Sequence, residues 1–212
     1  KDVAEELGIS IEMAARKLRY DWFEKVRVEN HFDYIVVGHH LDDVLETFFL
    51  NLSRGTGIRG LSGIKPKVGK VVRPLLFASR KQIEAYADEN ELSFRFDSSN
   101  DELIYKRNKV RHQILPLFDE LSPAFRNNMK RTIDYLKQTE EVYLDQIETE
   151  RQRIVSTKAD WISIDKAELK KLKPIPVYLY ELLRPYNFSP DIIENLLQSI
   201  DLLGTHFFSP TH

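Results

Sequence analysis

One short segment constrains the fold more than any other part of the chain: the apolar run Tyr34-Ile35-Val36-Val37-Gly38 leads directly into His39-His40-Leu41-Asp42-Asp43. The run predicts a short strand, and its continuous apolar character is typical of a parallel strand covered on both faces. The acidic pair predicts a helix that starts at Asp42 or Asp43. Because a strand that turns tightly into a helix is typical of α/β domains, the predicted fold class is α/β.

Hydrophobic periodicity predicts the neighbouring elements. They are a helix over 11–28 capped by Ser10, a strand at Val71-Val72, a helix over 80–90 capped by Ser79, and a helix over 106–120 that Pro116 kinks or ends. Aromatic side chains at helical spacing are expected to be core residues, not base-stacking platforms: Trp22, Phe23, Phe48 and Phe49.

The last third of the chain is predicted to be mostly helical. Ser122-Pro123 is expected to open a long helix, with proline at the first helical position, and a domain boundary is placed there. The predicted domains are therefore residues 1–121 and 122–212. Beyond the long helix, residues 161–164 form a strand or an extended linker, and shorter helices are expected over 166–172, 177–183 and 190–203.

Composition excludes several classes of function. The chain has no cysteine, which excludes disulfides, thiolate zinc sites and iron-sulfur clusters. No apolar run approaches the roughly 18 residues of a membrane helix, and the first residues do not form a signal region, so we expect a cytoplasmic protein without a membrane partner.

Positive charge is segregated along the chain, although the formal net charge is only −2. No Asp or Glu occurs between Thr47 and Ile83. The predicted RNA-phosphate contacts are the basic residues of this stretch and of a second basic block: Arg54, Arg59, Lys65, Lys67, Arg73, Lys106 and Lys109. A flexible, solvated loop would have a similar composition, so both interpretations stay open.

The residues after the first predicted strand form the candidate site, because open α/β sheets bind ligands beyond the carboxyl ends of their strands. Asp42 and Asp43 at a helix N-terminus are suited to hold Mg²⁺ together with phosphate. Glu46 lies one turn after Asp43 and could orient that aspartate or a metal-bound water. The structural alternative is that Asp42 merely caps the helix while His39 and His40 make ordinary turn hydrogen bonds.

Arg107 and Arg111 are one helical turn apart, so both guanidinium groups can face one ligand. Arginine suits a phosphate or a developing oxyanion because its rigid fork pairs with oxygen atoms without losing charge. A solvated basic helix face would show the same spacing, and spacing alone does not decide between the two.

Several motifs occur together in a recognisable order. Gly38-His39-His40-x-Asp42-Asp43-x-x-Glu46-Thr47 and the following Arg54-Gly55-x-Gly57-x-x-Gly60-Leu61 resemble a conserved region of the N-type ATP pyrophosphatases. Further segments resemble the bacterial tRNA(Ile)-lysidine synthetase family within this PP-loop superfamily: Gly8-Ile9-Ser10, Ala14-Ala15-Arg16-x-Leu18-Arg19-Tyr20, Arg73-Pro74-Leu75-Leu76, Asp97-x-Ser99-Asn100 and Arg107-Asn108-x-x-Arg111-His112.

The resemblance implies the C-terminal part of a parallel-sheet, adenine nucleotide alpha hydrolase-like domain, followed by a helical tRNA-contacting domain. It implies ATP and Mg²⁺ as cofactors, tRNA(Ile) and L-lysine as partners, and allows a homodimer. The wobble cytidine would be adenylated and lysine would then displace AMP. Asp43, Arg107 and Arg111 would be catalytic, with Asp43 also the metal ligand. The residues expected to bind the nucleotide are Gly38, His39, His40, Asp42 and Glu46.

The resemblance also predicts that this chain is an internal fragment. No Ser-Gly-Gly-x-Asp-Ser phosphate loop occurs in it, and its last residues resemble the entry to a further domain, so we expect it to be inactive alone. The alternatives are another ATP pyrophosphatase acting on RNA, such as a thiolase, and a non-catalytic tRNA-binding module. A metal phosphohydrolase built on the His-Asp block is disfavoured, because it leaves two segments without a role. They are the arginine motif and the glycine loop, which is defined as residues 54–67 and contains Gly55, Gly57, Gly60 and Gly63.

Overall fold

A computed structural model describes residues 2–94, 105–158, 161–202, 204 and 206–210. The chain divides into two compact units, Lys1–Lys137 and Gln138–His212. The predicted domain boundary at 121/122 stays a prediction, because a division into compact units does not test where a domain ends. The motif Asp97-x-Ser99-Asn100 lies outside the described residues. In the part of the chain that is described, none of the helices is both long and apolar enough to span a bilayer.

The first unit contains short strands between helices. Its elements are α1 (Asp2–Glu6), α2 (Ile11–Glu29), β1 (Ile35–Val36), α3 (Leu41–Ser53), α4 (Ile58–Leu61), β2 (Lys67–Val68), β3 (Val71–Val72), α5 (Arg80–Glu89), α6 (Tyr105–Lys109), a π turn (Val110–Ile114) and α7 (Leu115–Leu121). The 30-residue helix α8 (Phe125–Ile154) belongs to both units. The predicted start of α8 at Ser122-Pro123 was early, because these residues form a turn that places Phe125 at the first helical position.

The strands of the first unit form a small mixed sheet in the order β1-β3-β2. β1 pairs with β3 in parallel, with Ile35 opposite Val71, whereas β2 and β3 are antiparallel. The strand predicted over residues 34–38 is confirmed in a shorter form. The prediction that it is buried on both faces is wrong: Val36 is 65% exposed, because the described elements of this unit leave that position uncovered. The extended parallel sheet is not confirmed.

Helix α3 begins directly after the strand and contributes the centre of the first core. Val44 and Leu45 are buried on its inner face. They belong to one cluster with the following buried residues: Val110, Leu115, Phe125 and Ile133. Phe48 and Phe49 pack against this cluster, as predicted. The core therefore brings the start of α3 close to the helices that carry the two arginines of the candidate site.

Helix α2 has the predicted start and N-cap, with the Ser10 hydroxyl accepting from the Met13 N–H at 3.2 Å, and it ends at Glu29, one residue later than predicted. The prediction that Trp22 in this helix is a core residue is wrong. Ala14 is buried, but Leu18 is 51% and Trp22 is 59% exposed. The periodicity predicts that one face is apolar, and the described elements of this unit do not cover most of that face.

A π turn, Val110–Ile114, separates α6 from α7. The Leu115 N–H donates to the carbonyl of Val110, five residues earlier. Pro116 follows immediately, and a proline has no N–H to donate and crowds the carbonyl four residues before it. The wider turn accommodates this proline, so the helical path continues to Leu121 instead of ending.

The second unit is mostly helical, as predicted. Its elements after α8 are β4 (Val155–Lys158), β5 (Trp161–Ile164), α9 (Lys166–Leu169), α10 (Ile175–Leu183), a 3-10 turn (Arg184–Tyr186) and α11 (Pro190–Gln198). β4 and β5 form an antiparallel hairpin, which decides between the strand and linker alternatives for 161–164. The core of the second unit consists of the following residues: Ile154, Leu169, Leu172, Leu179, Leu182, Leu183 and Ile193.

Candidate active site

The two neighbouring aspartates of α3 do different things. The backbone N–H of His40 donates to Asp43 Oδ2 at 3.0 Å, so Asp43 caps the helix from its third position. The capping role considered for Asp42 thus belongs to Asp43. This hydrogen bond involves Oδ2, while Arg111 Nη2 lies 4.0 Å from Asp43 Oδ1.

Asp42 instead connects the start of α3 to two other helices. Its Oδ2 accepts the backbone N–H of Arg80 at 2.8 Å, and its Oδ1 accepts from Arg126 Nη1. Burial alone would raise the pKa of Asp42, but His40, the Arg80 N–H and Arg126 outweigh it and lower this pKa to about 2. Arg126 is itself held by Asp119, with Nη2 at 2.7 Å from Oδ2.

Glu46 is completely buried and holds both predicted arginines. Arg111 donates to it through Nε at 2.6 Å and Nη2 at 3.2 Å. Arg107 Nε lies 3.2 Å from Glu46 Oε2, and Arg107 Nη2 donates to the Thr47 hydroxyl at 3.1 Å. Burial raises the pKa of Glu46 against the opposing effect of the arginines, and hydrogen bonding to Glu46 raises the pKa of Arg111. The interpretation of these arginines as a solvated basic face is therefore wrong.

The two histidines have opposite protonation tendencies. Burial lowers the pKa of His39, and the nearby guanidinium groups of Arg73, Arg16 and Arg107 lower it further. Burial also acts to lower the pKa of His40, but the carboxylates of Asp42 and Asp43 outweigh it and raise this pKa overall. His39 thus releases its proton at a lower pH than an ordinary histidine, and His40 at a higher pH.

Polar atoms without partners mark the same region. Within the described residues, the buried side-chain nitrogens that make no hydrogen bond are His39 Nδ1, His40 Nδ1, Arg73 Nε and Arg107 Nε. Two of them still lie near a carboxylate, because Arg107 Nε is 3.2 Å from Glu46 and His40 Nδ1 is 3.6 Å from Asp42. A buried donor without an acceptor is costly, and an anionic ligand such as a phosphate group would satisfy Arg73 Nε. This arrangement fits the predicted nucleotide site.

A divalent cation fits this site only with help from its ligand. Among the described residues, no group of three or more His, Asp or Glu side chains is arranged to hold a metal ion. Asp42 and Glu46 are each bonded to guanidinium groups, whereas the Asp43 side chain is 15% exposed and its nearest Arg111 atom is 4.0 Å away. Mg²⁺ is commonly bound by one or two carboxylates plus substrate phosphates, so Asp43 is a suitable single protein ligand.

The predicted tRNA-binding residues differ in how exposed they are. Those that are exposed are Arg54, Lys65, Lys67, Lys106 and Lys109, while Arg59 is half-buried. Arg73 departs from the prediction of a surface contact. It is only 9% exposed, and its Nη1 donates to the Lys65 carbonyl at 2.9 Å, so it ties the basic loop internally. Gly38 is exposed, before His39.

The sequence patterns did not indicate Arg126 and Asp119. Arg126 lies 84 residues after Asp42, in a helix that also carries Lys130 and Arg131. No local pattern separates it from these neighbours, so only the tertiary structure identifies it. Thr47 was part of the recognised motif, but its contact with Arg107 was not predicted.

The fold and this cluster define an α/β domain in which two aspartates at the start of a helix lie beside a group of arginines. The chain belongs to the PP-loop domain family, whose model matches residues 1–118. Residues 157–212 match the TilS substrate binding domain. The first match includes the N-terminal residues, so it does not support the prediction that this chain is a fragment without the PP-loop.

Relatives described as tRNA(Ile)-lysidine synthase are similar over most of the chain. The one from Porphyromonas gingivalis strain W83 is 43% identical over 211 residues, which cover 99% of this chain and 46% of the relative. That from Parabacteroides distasonis is 39% identical, covering 99% and 47%. That from Bacillus subtilis is 31% identical, covering 92% and 44%. The chain thus spans about half the length of the curated relatives it matches.

Proposed function

We propose that this chain is part of the catalytic machinery of a tRNA(Ile)-lysidine synthase. The observation that carries the proposal is that Arg107 and Arg111 meet on the buried Glu46, with Arg111 4.0 Å from Asp43. Such a cluster serves a reaction in which phosphate groups must be held while charge develops. The relatives from Porphyromonas gingivalis and Parabacteroides distasonis support this choice of reaction.

The proposed reaction has two steps. The carbonyl oxygen of the wobble cytidine attacks the α-phosphorus of ATP, forming an adenylated base and releasing pyrophosphate. The amine of L-lysine then attacks the carbonyl carbon, so that a carbon-nitrogen bond forms, AMP leaves and the amine gives up its proton. The enzyme class is a ligase, and the substrates are ATP, lysine and tRNA(Ile).

The arginines stabilise charge in this proposal. Glu46 fixes the guanidinium groups of Arg107 and Arg111, which are 31% and 23% exposed, so their remaining donors are already oriented when the phosphates arrive. Preoriented donors cost little reorganisation during reaction. The unpartnered His39 Nδ1 and the neutral tendency of His39 suit a hydrogen bond to the nucleotide.

Asp43 supplies the carboxylate for Mg²⁺ in this proposal. The bound ion would neutralise charge on the leaving pyrophosphate. The Asp43 side chain caps α3 through Oδ2, which keeps the carboxylate at the helix N-terminus and directs Oδ1 toward Arg111. Its position is therefore set by the same helix that carries Glu46.

The exposed basic residues of the glycine loop and α6 would contact tRNA phosphates: Arg54, Lys65, Lys67, Lys106 and Lys109. We also propose that residues 122–212 contribute to tRNA binding, which is supported by the match of 157–212 to the TilS substrate binding domain. Arg73 is proposed only to hold the loop.

The direct test is an assay of the protein expressed from its complete reading frame, with tRNA(Ile), ATP, Mg²⁺ and labelled lysine. The expected products are lysine-modified tRNA, AMP and pyrophosphate. Sulfur dependence without lysine incorporation would instead identify a thiolase. Free phosphate would identify a phosphohydrolase, and salt-sensitive tRNA binding with no ATP turnover would indicate a binding module. The same preparation, run on a sizing column with light scattering, tests whether the protein forms a homodimer.

Replacing Asp43 by asparagine gives the sharpest test of the site. Asp43→Asn keeps the size of the side chain and removes its charge, so pyrophosphate release should fall by about 100-fold or more, while tRNA affinity changes by less than about two-fold. The measurements are pyrophosphate release and filter binding. A rate close to that of the unmodified protein would remove Asp43 from the mechanism.

A further inference from the structure

Asp42 and Asp43 are adjacent in sequence and differ in what neutralises them. Asp42 is bonded to the Arg126 guanidinium and to the Arg80 N–H, and its side chain is 14% exposed. Asp43 is similarly exposed, at 15%, but its nearest guanidinium atom in the described structure, on Arg111, is 4.0 Å away. The His40 imidazole does not distinguish the two acids, because Nδ1 lies 3.6 Å from Asp42 Oδ2 and Nε2 lies 3.5 Å from Asp43 Oδ2. Two neighbouring carboxylates at a helix N-terminus could both bind a divalent cation, and the contacts of Arg126 distinguish them.

Arg126 bridges two acids from different parts of the chain. Its Nε and Nη2 contact Asp119 at distances between 2.7 and 3.1 Å, and its Nη1 contacts Asp42. The guanidinium group is planar and presents donors on several edges, which lets one side chain hold two carboxylates at fixed angles. A lysine ammonium is a point charge and does not impose this geometry.

We propose that Arg126 is a positioning residue which, held by Asp119, withdraws Asp42 from ligand binding and leaves Asp43 as the carboxylate available to the divalent cation. The inference rests on the proposed function, because it concerns the same cation site. Arg126 touches neither substrate nor cation in this arrangement. It acts through Asp42, whose second oxygen holds the first N–H of α5.

The proposal predicts a change in cation affinity that is opposite to the change expected if Arg126 only stabilised the fold. Loss of Arg126 removes a positive charge from the neighbourhood of the cation and frees Asp42 Oδ1, so cation binding should become tighter. The reaction should nevertheless slow, because a second carboxylate would then compete with the phosphates for the ion. A residue that only stabilises the fold would weaken both binding and reaction.

The test uses Mn²⁺, which resembles Mg²⁺ in its preference for oxygen ligands, and measures free Mn²⁺ by electron paramagnetic resonance with the full chain. A non-hydrolysable ATP analogue is present at the same saturating concentration in every sample, because Asp43 is a single carboxylate and the phosphates complete the cation site. Arg126→Gln should bind Mn²⁺ at least about three-fold more tightly than the unmodified chain. Arg126→Gln combined with Asp42→Asn should return to within about two-fold of it. The control is Arg131→Gln, which removes an exposed arginine from the same helix and should change affinity by less than about two-fold.

Unchanged or weaker Mn²⁺ binding by Arg126→Gln would overturn the proposal, as would a gain that persists in the double variant or absence of binding in every protein. If circular dichroism shows that Arg126→Gln is unfolded, Arg126→Lys replaces it, with the same direction and at least about a two-fold gain expected. Pyrophosphate release is measured in parallel. A protein that releases none from any variant would contradict the proposed function, while the Mn²⁺ comparison would still decide the role of Arg126.

Discussion

The protein has two kinds of basic region, and they differ in how their charges are held. Arg107 and Arg111 are fixed on the buried Glu46, which is 0% exposed. Lys67 and Arg54 of the glycine loop are exposed, and Lys67 lies over the ring of Tyr34 with Nζ 4.7 Å from its centroid. A fixed charge can be aligned with a reacting phosphate, whereas an exposed charge contributes attraction that salt screens. The difference predicts that the first region controls rate and the second controls affinity.

The largest expected effect comes from breaking the fixed region. Glu46→Gln keeps the side-chain size but leaves two partly buried guanidinium groups without their shared carboxylate. We expect the free energy of unfolding to fall by about 3 kcal/mol and pyrophosphate release to fall by about 100-fold or more. Urea unfolding and the pyrophosphate assay measure these two quantities.

The matched control for this substitution is Glu84→Gln. Glu84 accepts from Arg80 Nε at 2.7 Å, but its side chain is 46% exposed. Its loss should therefore cost less than about 1 kcal/mol and leave the reaction rate nearly unchanged. Similar effects of the two substitutions would show that burial does not separate the fixed region from ordinary surface pairs.

The next effect is that of acid on Asp42, which lies beside the fixed region and is bonded to Arg126 and to the Arg80 N–H. Since the pKa of Asp42 is lowered to about 2 from an ordinary value of 3.8, its ionised form stabilises the folded state above pH 4, and this contribution is lost as the pH falls toward 2. It amounts to about 2 kcal/mol at neutral pH. Urea unfolding of the unmodified chain and of Asp42→Asn should differ by a constant amount above about pH 5 and converge as the pH falls to about 2. A difference that did not shrink as the pH fell would contradict this origin.

The glycine loop is joined to the core at Gly63, and a substitution there tests how firmly the exposed region is held. Gly63 has φ of +74°, and an added Cβ would lie 3.1 Å from Val44 Cγ1. Gly63→Ala should lower the free energy of unfolding by roughly 1–2 kcal/mol. Gly55→Ala is the control, because Gly55 has φ of +72° with no atom within 4 Å of its Cβ position. Equal losses would mean that the contact with Val44 contributes nothing.

Local sequence patterns predicted most elements of the fold but not their surroundings. Ser10 and Ser79 cap helices as expected, because capping depends on residues within one turn. The burial of Trp22 was predicted wrongly, since an apolar face does not specify what covers it. Likewise, the sequence indicated that Pro116 would disturb a helix, but the π turn before it depends on packing around Val110 and Leu115.

The same distinction applies to the candidate site. The motif identified Asp43, Glu46, Arg107 and Arg111, and the structure brings these residues together. It did not indicate that Glu46 is the partner of both arginines, because that contact joins residues about 60 positions apart. Arg126 was missed for the same reason. Their catalytic and metal-binding roles stay predictions until the substitutions above are measured.

The smallest effect is expected from the exposed region, because each of its charges is proposed to contact a single tRNA phosphate. Arg54→Ala combined with Lys67→Ala should reduce the slope of log affinity for tRNA against log salt by about 1.5, because each phosphate contact contributes roughly 0.7–0.9. The rate with saturating tRNA should stay within about two-fold, since neither side chain belongs to the fixed region. Lys25→Ala removes a comparably exposed charge from α2 and should leave the slope unchanged. Salt-dependent filter binding measures the slope, and the pyrophosphate assay measures the rate with saturating tRNA. If the double substitution lowered that rate and left the slope unchanged, the proposed roles of the two basic regions would be reversed.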